Sequence, residues 1–385
     1  MLFIPHKHLY ISRTSYISSD EPDYKEVITD ANSRRRMGRL LKMAVWCGLK
    51  SLDGVPSERV AGIITSTGAG FMKDTISFGS SIFDREETLL NPSPFMQSTF
   101  NTASGYIALI RKIHAYNTTY VQQADGFAAS LVDAAMLLDD AGEGNVALVG
   151  AFDEVTPEVD VIRQRLGLYR VEDGFLPLGE GAAAFLLSAA MPTDFSESCR
   201  ATEMSAGPGG GDGSEADSGQ SGDEAGSESA SERGDDEAGS ESASDRGGDA
   251  NSECSTGPLH ESESASWPCD ESGSESSSEL LHESGGTSSR SLNGTKDGNA
   301  ALRFCGLANL SDLPKCAANP ISELFGINAG VNLISCADHV ESLGAFRSLL
   351  PVLLCKLISE QKIQDGYTAI VDDVNEDGVI VLLHK

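Results

Sequence analysis

The sequence lacks any apolar run approaching the roughly 20 residues that a membrane span needs, and it lacks any pair of cysteines at CxxC spacing. The first absence excludes a spanning helix as an expectation. The second removes the spacing of structural zinc sites and leaves no disulfide framework. Eight cysteines are scattered at 47, 199, 254, 269, 305, 316, 336 and 355. Free thiols in a reducing cytoplasm are the expectation that follows. The start of the chain, MLFIPHKHLYISRTSY, has no uninterrupted apolar core, so no secretion signal is expected. Positive charge is scarce, with 28 Lys and Arg against 58 Asp and Glu and a net charge of −30. Such a balance argues against nucleic acid and against an anionic membrane surface as partners. No metal-ligand cluster and no cofactor fingerprint stands out, so neither is expected.

The acidity is concentrated. Residues 201–299 hold 23 acidic and 4 basic residues, which accounts for −19 of the total. From about 194 to 299 the chain is mostly Ser, Gly, Glu, Asp and Ala. It contains a repeat with a period of 13, EAGSESASERGDD at 224–236 and EAGSESASDRGGD at 237–249. No helical or strand periodicity accompanies the repeat. A segment of this kind buries too little apolar surface to offset its ordering entropy, so residues 194–299 are expected to be a disordered insertion. Its role is either an expanded surface loop or an acidic docking tail. The flanking blocks, 1–193 and 300–385, carry the apolar patterns of an ordered fold.

The first block reads as alternating α and β. Met37, Leu40, Leu41, Ala44, Val45 and Leu49 recur at helical spacing, which predicts a helix over 33–52 with Asn32 as its cap. Arg34, Arg35, Arg36, Arg39 and Lys42 crowd its start, either as a solvated face or as a contact for a carrier protein or a phosphate. Val60–Ser66 predicts a buried strand. The turn Thr67-Gly68-Ala69-Gly70 follows it and lacks both GxGxxG and a Walker lysine. Asn91-Pro92-Ser93-Pro94-Phe95 predicts an extended segment, because residues before proline avoid the α region. A helix over 102–114, a strand over 117–121, a polar elbow from Gln122 to Gly126 and a helix over 127–140 come next. Apolar runs at 145–150 and 182–187 predict further strands. The last block predicts a strand at 331–335, a helix over 343–360 and a closing hairpin of strands 368–372 and 379–384. Near-continuous apolar strands separated by helices predict a mostly parallel sheet covered on both faces.

The elbow is the position that carries chemical information. A strand-to-helix turn presents a nucleophile to the helix N-terminus, which helps to hold a developing anion. Gln122-Gln123-Ala124-Asp125-Gly126 contains no Cys, Ser or Thr, and no cysteine occurs between Cys47 and Cys199. The nearest hydroxyls, Thr119 and Ser130, lie off the tip of the turn. Four stretches in this order, PSPFMQSTFNTASGYIALI at 92–110, TTYVQQADGFAASLVDAA at 118–135, NVALVGAFDE at 145–154 and PLGEGAAAFLLS at 177–188, resemble β-ketoacyl synthases of the thiolase-like fold. The set is most similar to the ketosynthase-like proteins of aryl polyene and type II polyketide gene clusters. The resemblance implies an α/β fold of α/β/α/β/α layers, here with a long insertion and a shortened C-terminal half. It implies a ketosynthase-like N-terminal half over 1–193 and a short C-terminal half of the same domain over 300–385.

Within that resemblance the elbow is degenerate. A ketosynthase carries its acyl chain on an elbow cysteine whose thiolate attacks the thioester. The register places Gln123 there, with Gln122 and Ala124 as the adjacent alternatives. Gln123-Ala124-Asp125-Gly126-Phe127 resembles the Q-A-G-G-L of chain-length factors, the inactive partners of type II ketosynthases. An amide forms no thioester. It either donates a hydrogen bond to a bound carbonyl, as related decarboxylating synthases do, or satisfies backbone groups in the turn. The first family histidine, in an HGT motif, is missing. The place of the second is comparable to that of His339 in Asp338-His339-Val340, read either as its relic or as a polar residue at a helix entry. By the same resemblance Phe95, Met96 and Phe100 line an acyl channel at a dimer interface or else pack in the core. The reading that follows is a chain-length-factor-like partner of an active ketosynthase, working with an acyl carrier protein in fatty acid, aryl polyene or polyketide biosynthesis. The alternatives are a malonyl-carrier-protein decarboxylase using Gln123 and a non-catalytic homodimeric scaffold.

Overall fold

The structure, a computed structural model, describes residues 2–18, 20–122, 125–191, 289–291, 301–315, 317–375 and 377–385. The expected disorder of 194–299 falls outside these residues except at Ser289–Ser291.

The chain begins with strand β1 (Leu9–Ile17), then helices α1 (Ala31–Arg36) and α2 (Arg39–Ser51). Strand β2 (Val60–Ser66) leads to α3 (Met72–Asp84), α4 (Pro92–Gln97) and α5 (Thr102–Arg111). Strand β3 (Tyr116–Tyr120), helix α6 (Asp125–Ala141) and strand β4 (Val146–Asp153) follow. Helix α7 (Pro157–Leu166), the small hairpin β5 (Arg170–Val171) and β6 (Gly174–Phe175), and strand β7 (Gly181–Ser188) complete the first part. The remainder comprises β8 (Ser289–Ser291), β9 (Arg303–Asn309), α8 (Pro320–Leu324), β10 (Val331–Ser335), α9 (Val340–Leu343), α10 (Leu349–Ser359), β11 (Tyr367–Val371) and β12 (Val379–His384).

The main sheet runs β10-β11-β12-β9-β1-β7-β4-β2-β3, with β8 also on β1. The expectation of a mostly parallel sheet is corrected. Strand β2 is parallel to β3 and β4, and β10 to β11, but β4–β7, β7–β1, β1–β9, β9–β12 and β12–β11 are antiparallel. An apolar run such as Ala182–Leu187 reports burial on both faces, and that says nothing about strand direction. The central join is made by β1 and β9, through Leu9 opposite Phe304 and Tyr10 opposite Arg303. Both parts of the chain thereby share one compact unit.

Alternation along the strands sorts side chains into cores. Ala183, Phe185 and Leu187 face the core of α6 and α10, while Ala182, Ala184 and Leu186 face that of α2 and α5. The α6 and α10 core also takes Phe304, Ile370, Val379 and Val381 from the second part. The opposite face of those strands, with Ile380 and Leu382, packs with Phe325. In packing order this is helices, first half-sheet, α6 with α10, second half-sheet and the α8 region, the expected α/β/α/β/α succession.

Two local expectations differ. The predicted helix over 33–52 is two helices broken at Met37-Gly38, and the cap is Asp30, whose carboxylate accepts the N–H groups of Asn32 and Ser33 at 3.3 and 2.7 Å. The break arises because Met37 is extended and the Gly38 N–H donates to Gln97 Oε1 at 2.9 Å. The segment predicted to be extended at 91–95 is instead the cap and first turn of α4. Asn91 is extended and its side chain accepts the Ser93 N–H at 3.1 Å. Prolines 92 and 94 fall within the first turn of the helix, where no intrahelical N–H partner is needed.

Candidate functional site

The parallel strands β2, β3 and β4 end side by side, with Ser66 opposite both Tyr120 and Ala151. The carboxyl ends of parallel strands are where α/β sheets place ligands. After β3 the chain turns through Val121 and Gln122 into α6, whose second residue, Gly126, donates its N–H to the Gln122 carbonyl at 2.9 Å. Gly126 is buried against Ser66, and a Cβ there would stand 3.3 Å from that side chain, a tight contact. Gln122 is exposed, while Gln123 and Ala124 lie outside the described residues. Both nearby hydroxyls are engaged. Ser130 donates to the Gly126 carbonyl at 2.8 Å, and Thr119 pairs with Thr65 at 2.7 Å.

Opposite the elbow, β4 ends in Asp153. This carboxylate is buried and accepts from Thr67 Oγ1 at 3.0 Å, the Gly68 N–H at 2.8 Å, the Ala69 N–H at 3.2 Å and Ser348 Oγ at 2.5 Å. Burial pushes its carboxyl up from the ordinary value, while these donors pull the other way. Next to Ser348, Arg347 donates to Asn375 Oδ1 at 3.3 Å and lies 5.8 Å from the centre of the Tyr169 ring. Asn375 in turn donates to Asp372 at 2.7 Å, and burial pushes that carboxyl up to about 6. Asp125, at the start of α6, is raised by burial and then by the nearby charge of Asp377. Asp153 and Asp372 are thus buried carboxylates held by hydrogen bonds, with the Arg347 guanidinium bonded to Asn375 beside them.

His339 closes a short turn before α9 and is half-buried. Burial and then the Lys356 ammonium push its imidazole below the usual value. Lys356 lies in the last turn of α10, whereas Ser348 precedes its first. The turn that carries His339 is tied to the end of β11, where the Ala337 N–H donates to Asp373 Oδ1 at 2.9 Å. Phe95, Met96 and Phe100 are all at the surface, with 54, 66 and 44% of their area exposed. Phe95 meets Phe78 of α3 at 5.1 Å between ring centres, and Phe100 lies against Gly70, where a Cβ would come within 2.4 Å of its ring.

Sequence reasoning missed Asp153, Ser348 and Arg347 as members of one cluster. The strand-end Asp after an apolar run was a visible signal for the first. Nothing near Ser348 announces a partner 195 positions earlier. Among the described residues no group of three or more His, Cys, Asp or Glu is arranged to hold a metal ion, and no helix is long and apolar enough to cross a membrane.

The sheet order, the strand-to-helix elbow and the buried strand-end carboxylate together describe an α/β protein of layered mixed-sheet architecture. Residues 12–203, close to half of the chain, match the family model of the β-ketoacyl synthase N-terminal domain. The ishigamide ketosynthase/chain length factor is 12% identical and aligns over 98% of this chain and 99% of that one, with a TM-score of 0.53. AntDE:AntF, a type II polyketide synthase acyl-carrier protein in complex with its ketosynthase bound to the hexaketide, is also 12% identical, with the same coverage and a TM-score of 0.52. The ketosynthase ApeO in complex with its chain length factor ApeC, from Xenorhabdus doucetiae, is 16% identical over 47% of this chain and 79% of that one, at a TM-score of 0.36. A comparison with curated proteins gives no match. The chain carries a β-ketoacyl synthase-like N-terminal domain and has the thiolase-like fold.

Proposed function

We propose that this chain is the non-condensing partner of a cysteine-bearing ketosynthase, a chain-length-factor-like subunit that shapes an acyl channel in fatty acid, aryl polyene or polyketide synthesis. The observation that carries the reading is the combination found at one sheet edge. Among the described residues strand β3 is the last strand of the sheet and its outer edge is unpaired, and the elbow that follows it holds no thiol or hydroxyl. Around that edge Leu109, Ile110, Tyr116 and Val121 are exposed. An uncovered edge with apolar flanks is a pairing surface unless a partner covers it. Phe95, Met96 and Phe100 extend this surface and become the channel residues in the assembled pair.

The described cysteines support the same reading. Burial raises the thiols of Cys47, Cys305, Cys336 and Cys355, which is the opposite of the lowered value a nucleophile needs. The sequence has no HGT histidine, so the decarboxylase alternative with Gln123 and His339 ranks second. Arg35 and Arg36, exposed on α1, offer the carrier protein a basic contact beside α4, where Gln97 donates to the Arg36 carbonyl. A cytoplasmic location and the division into 1–193, 194–299 and 300–385 belong to this proposal.

The test is co-expression with cysteine-bearing ketosynthases encoded nearby, followed by gel filtration and mass spectrometry. A stable one-to-one complex supports the proposal. A homodimer that ignores every such partner overturns it in favour of the scaffold. Release of CO2 from malonyl-carrier protein by the purified chain, lost in Gln123→Ala, restores the decarboxylase.

A further inference from the structure

The segment from Phe71 to Gln97 is held in an unusual way. Helix α3 has 13 residues and none of them is buried. In α4 only the polar Gln97 is buried. The two helices pack on each other through Phe78 and Phe95. Their ties to the body among the described residues are mainly polar, and Asp74 also lies close to Gly38. Phe71 stacks on Phe152 at 5.2 Å, the Lys73 N–H donates to Glu154 Oε1 at 3.0 Å, and Gln97 bonds to Gly38 and Arg36. The arm leaves the body through the turn 67–70, and three donors of that turn end on the carboxylate of Asp153. Thr67 Oγ1 also accepts the Gly70 N–H at 2.9 Å, which closes the turn on itself. The fourth donor to Asp153 is Ser348, at the start of α10 in the other half of the fold.

We infer that Asp153 is a coupling residue: through Ser348 it transmits the position of α10 to the turn 67–70, and so sets the pose of the α3–α4 arm. The inference concerns this chain's own fold and holds whichever partner covers the arm. Beyond the buried anchor Phe71, α3 and α4 have little apolar burial of their own, so their pose depends on these polar ties. A buried carboxylate with four donors is rigid, because moving any donor away leaves charge unsatisfied at the sheet end. Removing one donor from the far side therefore loosens a turn that the donor does not touch. Arg347 reinforces the geometry, since a Cβ on Gly68 would lie 2.5 Å from its Cγ, so a larger residue there would force the turn and the Arg347 side chain apart.

The experiment is hydrogen–deuterium exchange on the full chain, comparing Ser348→Thr with Ser348→Val. The two variants have the same shape and differ in the hydroxyl. Amides of residues 68–97 should exchange about tenfold faster in the Val variant than in the Thr variant, the effect of losing one charge-assisted bond. Amides of α2 should be unchanged between them. Asp153→Asn should loosen the same segment, which keeps the test open if the Val variant folds poorly. A change confined to residues near 348, or spread evenly over α2 and the arm, overturns the coupling. Equal exchange of the arm in the Thr and Val variants overturns it as well. The pairing proposal is tested separately by complex formation, and either can fail without the other.

Discussion

Ser348 donates its hydroxyl to Asp153 at 2.5 Å, and 195 positions of sequence separate the two. The bond joins the end of β4 to the start of α10, on the carboxylate that also holds the turn 67–70. A long insertion lies between these residues in the chain, so the site is assembled by tertiary structure.

A second close approach supports that junction. Gly179 passes the end of α9 so tightly that a Cβ on it would stand 1.8 Å from the Leu343 carbonyl oxygen. The obstacle is backbone and cannot rotate away. Gly179→Ala should destabilise the fold by about 2–4 kcal/mol in urea unfolding. A change of a few tenths would mean that the two segments separate freely.

Asp372 gives the junction a pH response. Burial raises its folded-state carboxyl from an ordinary 3.8 to about 6. The folded chain therefore binds this proton more tightly than the unfolded chain does. The group costs stability at pH 7, and that cost is relieved as the pH falls from about 6 towards about 4. His339 and His384, lowered by burial, act in the opposite sense on acidification. The diagnostic quantity is thus a difference between proteins. The melting temperature of the parent should rise relative to Asp372→Asn between pH 7 and pH 5. Parallel profiles would remove Asp372 from the account.

The open edge at β3 makes a prediction about assembly. Leu109 is 76% exposed and Ile110 stands beside it on α5. Leu109→Glu with Ile110→Glu should leave the melting temperature of the isolated chain within about 2 °C, as surface changes usually do. The same pair should weaken the complex with a ketosynthase by about tenfold or more, because charge would be buried at an apolar contact. Unchanged affinity in a titration would place the interface elsewhere.

Thiol reactivity separates a partner from an enzyme. Cys47, Cys336 and Cys355 are buried and their thiols are raised. In native protein, iodoacetamide at pH 7.5 should leave these three unmodified, with complete labelling after denaturation. Peptide mass spectrometry reads the outcome directly. Rapid native labelling at any of the three would reveal an activated cysteine and reopen condensing chemistry.

Much of the fold was legible before the structure. The apolar runs at β2, β4, β7 and β10, the amphipathic pattern of α2, and the closing hairpin of β11 and β12 each follow from local periodicity. So do the missing cysteine at the elbow and the missing HGT motif, because absence is a property of the sequence. Strands β1, β5, β6, β8 and β9 were hidden, and β1 and β9 are the ones that join the halves. β1 reads as polar because Ser12, Thr14 and Ser15 interrupt it. Those residues are buried, and Ser15 donates to the Cys47 carbonyl at 2.6 Å while Ser12 meets Ser188 at 3.1 Å. The break at Gly38 and the helix at Pro92 were likewise set by Gln97 and Asn91, through contacts or caps that no periodicity reports.

By itself, then, the sequence determined the elements, their apolar faces and the chemistry that the elbow cannot perform, since these depend on residue type and spacing over a few turns. Only the tertiary structure decided the mixed direction of the sheet and the gathering of Asp153, Ser348, Arg347 and Asp372. Those outcomes depend on which distant groups satisfy a buried charge or an open strand edge, and such partners are found only when the chain has folded.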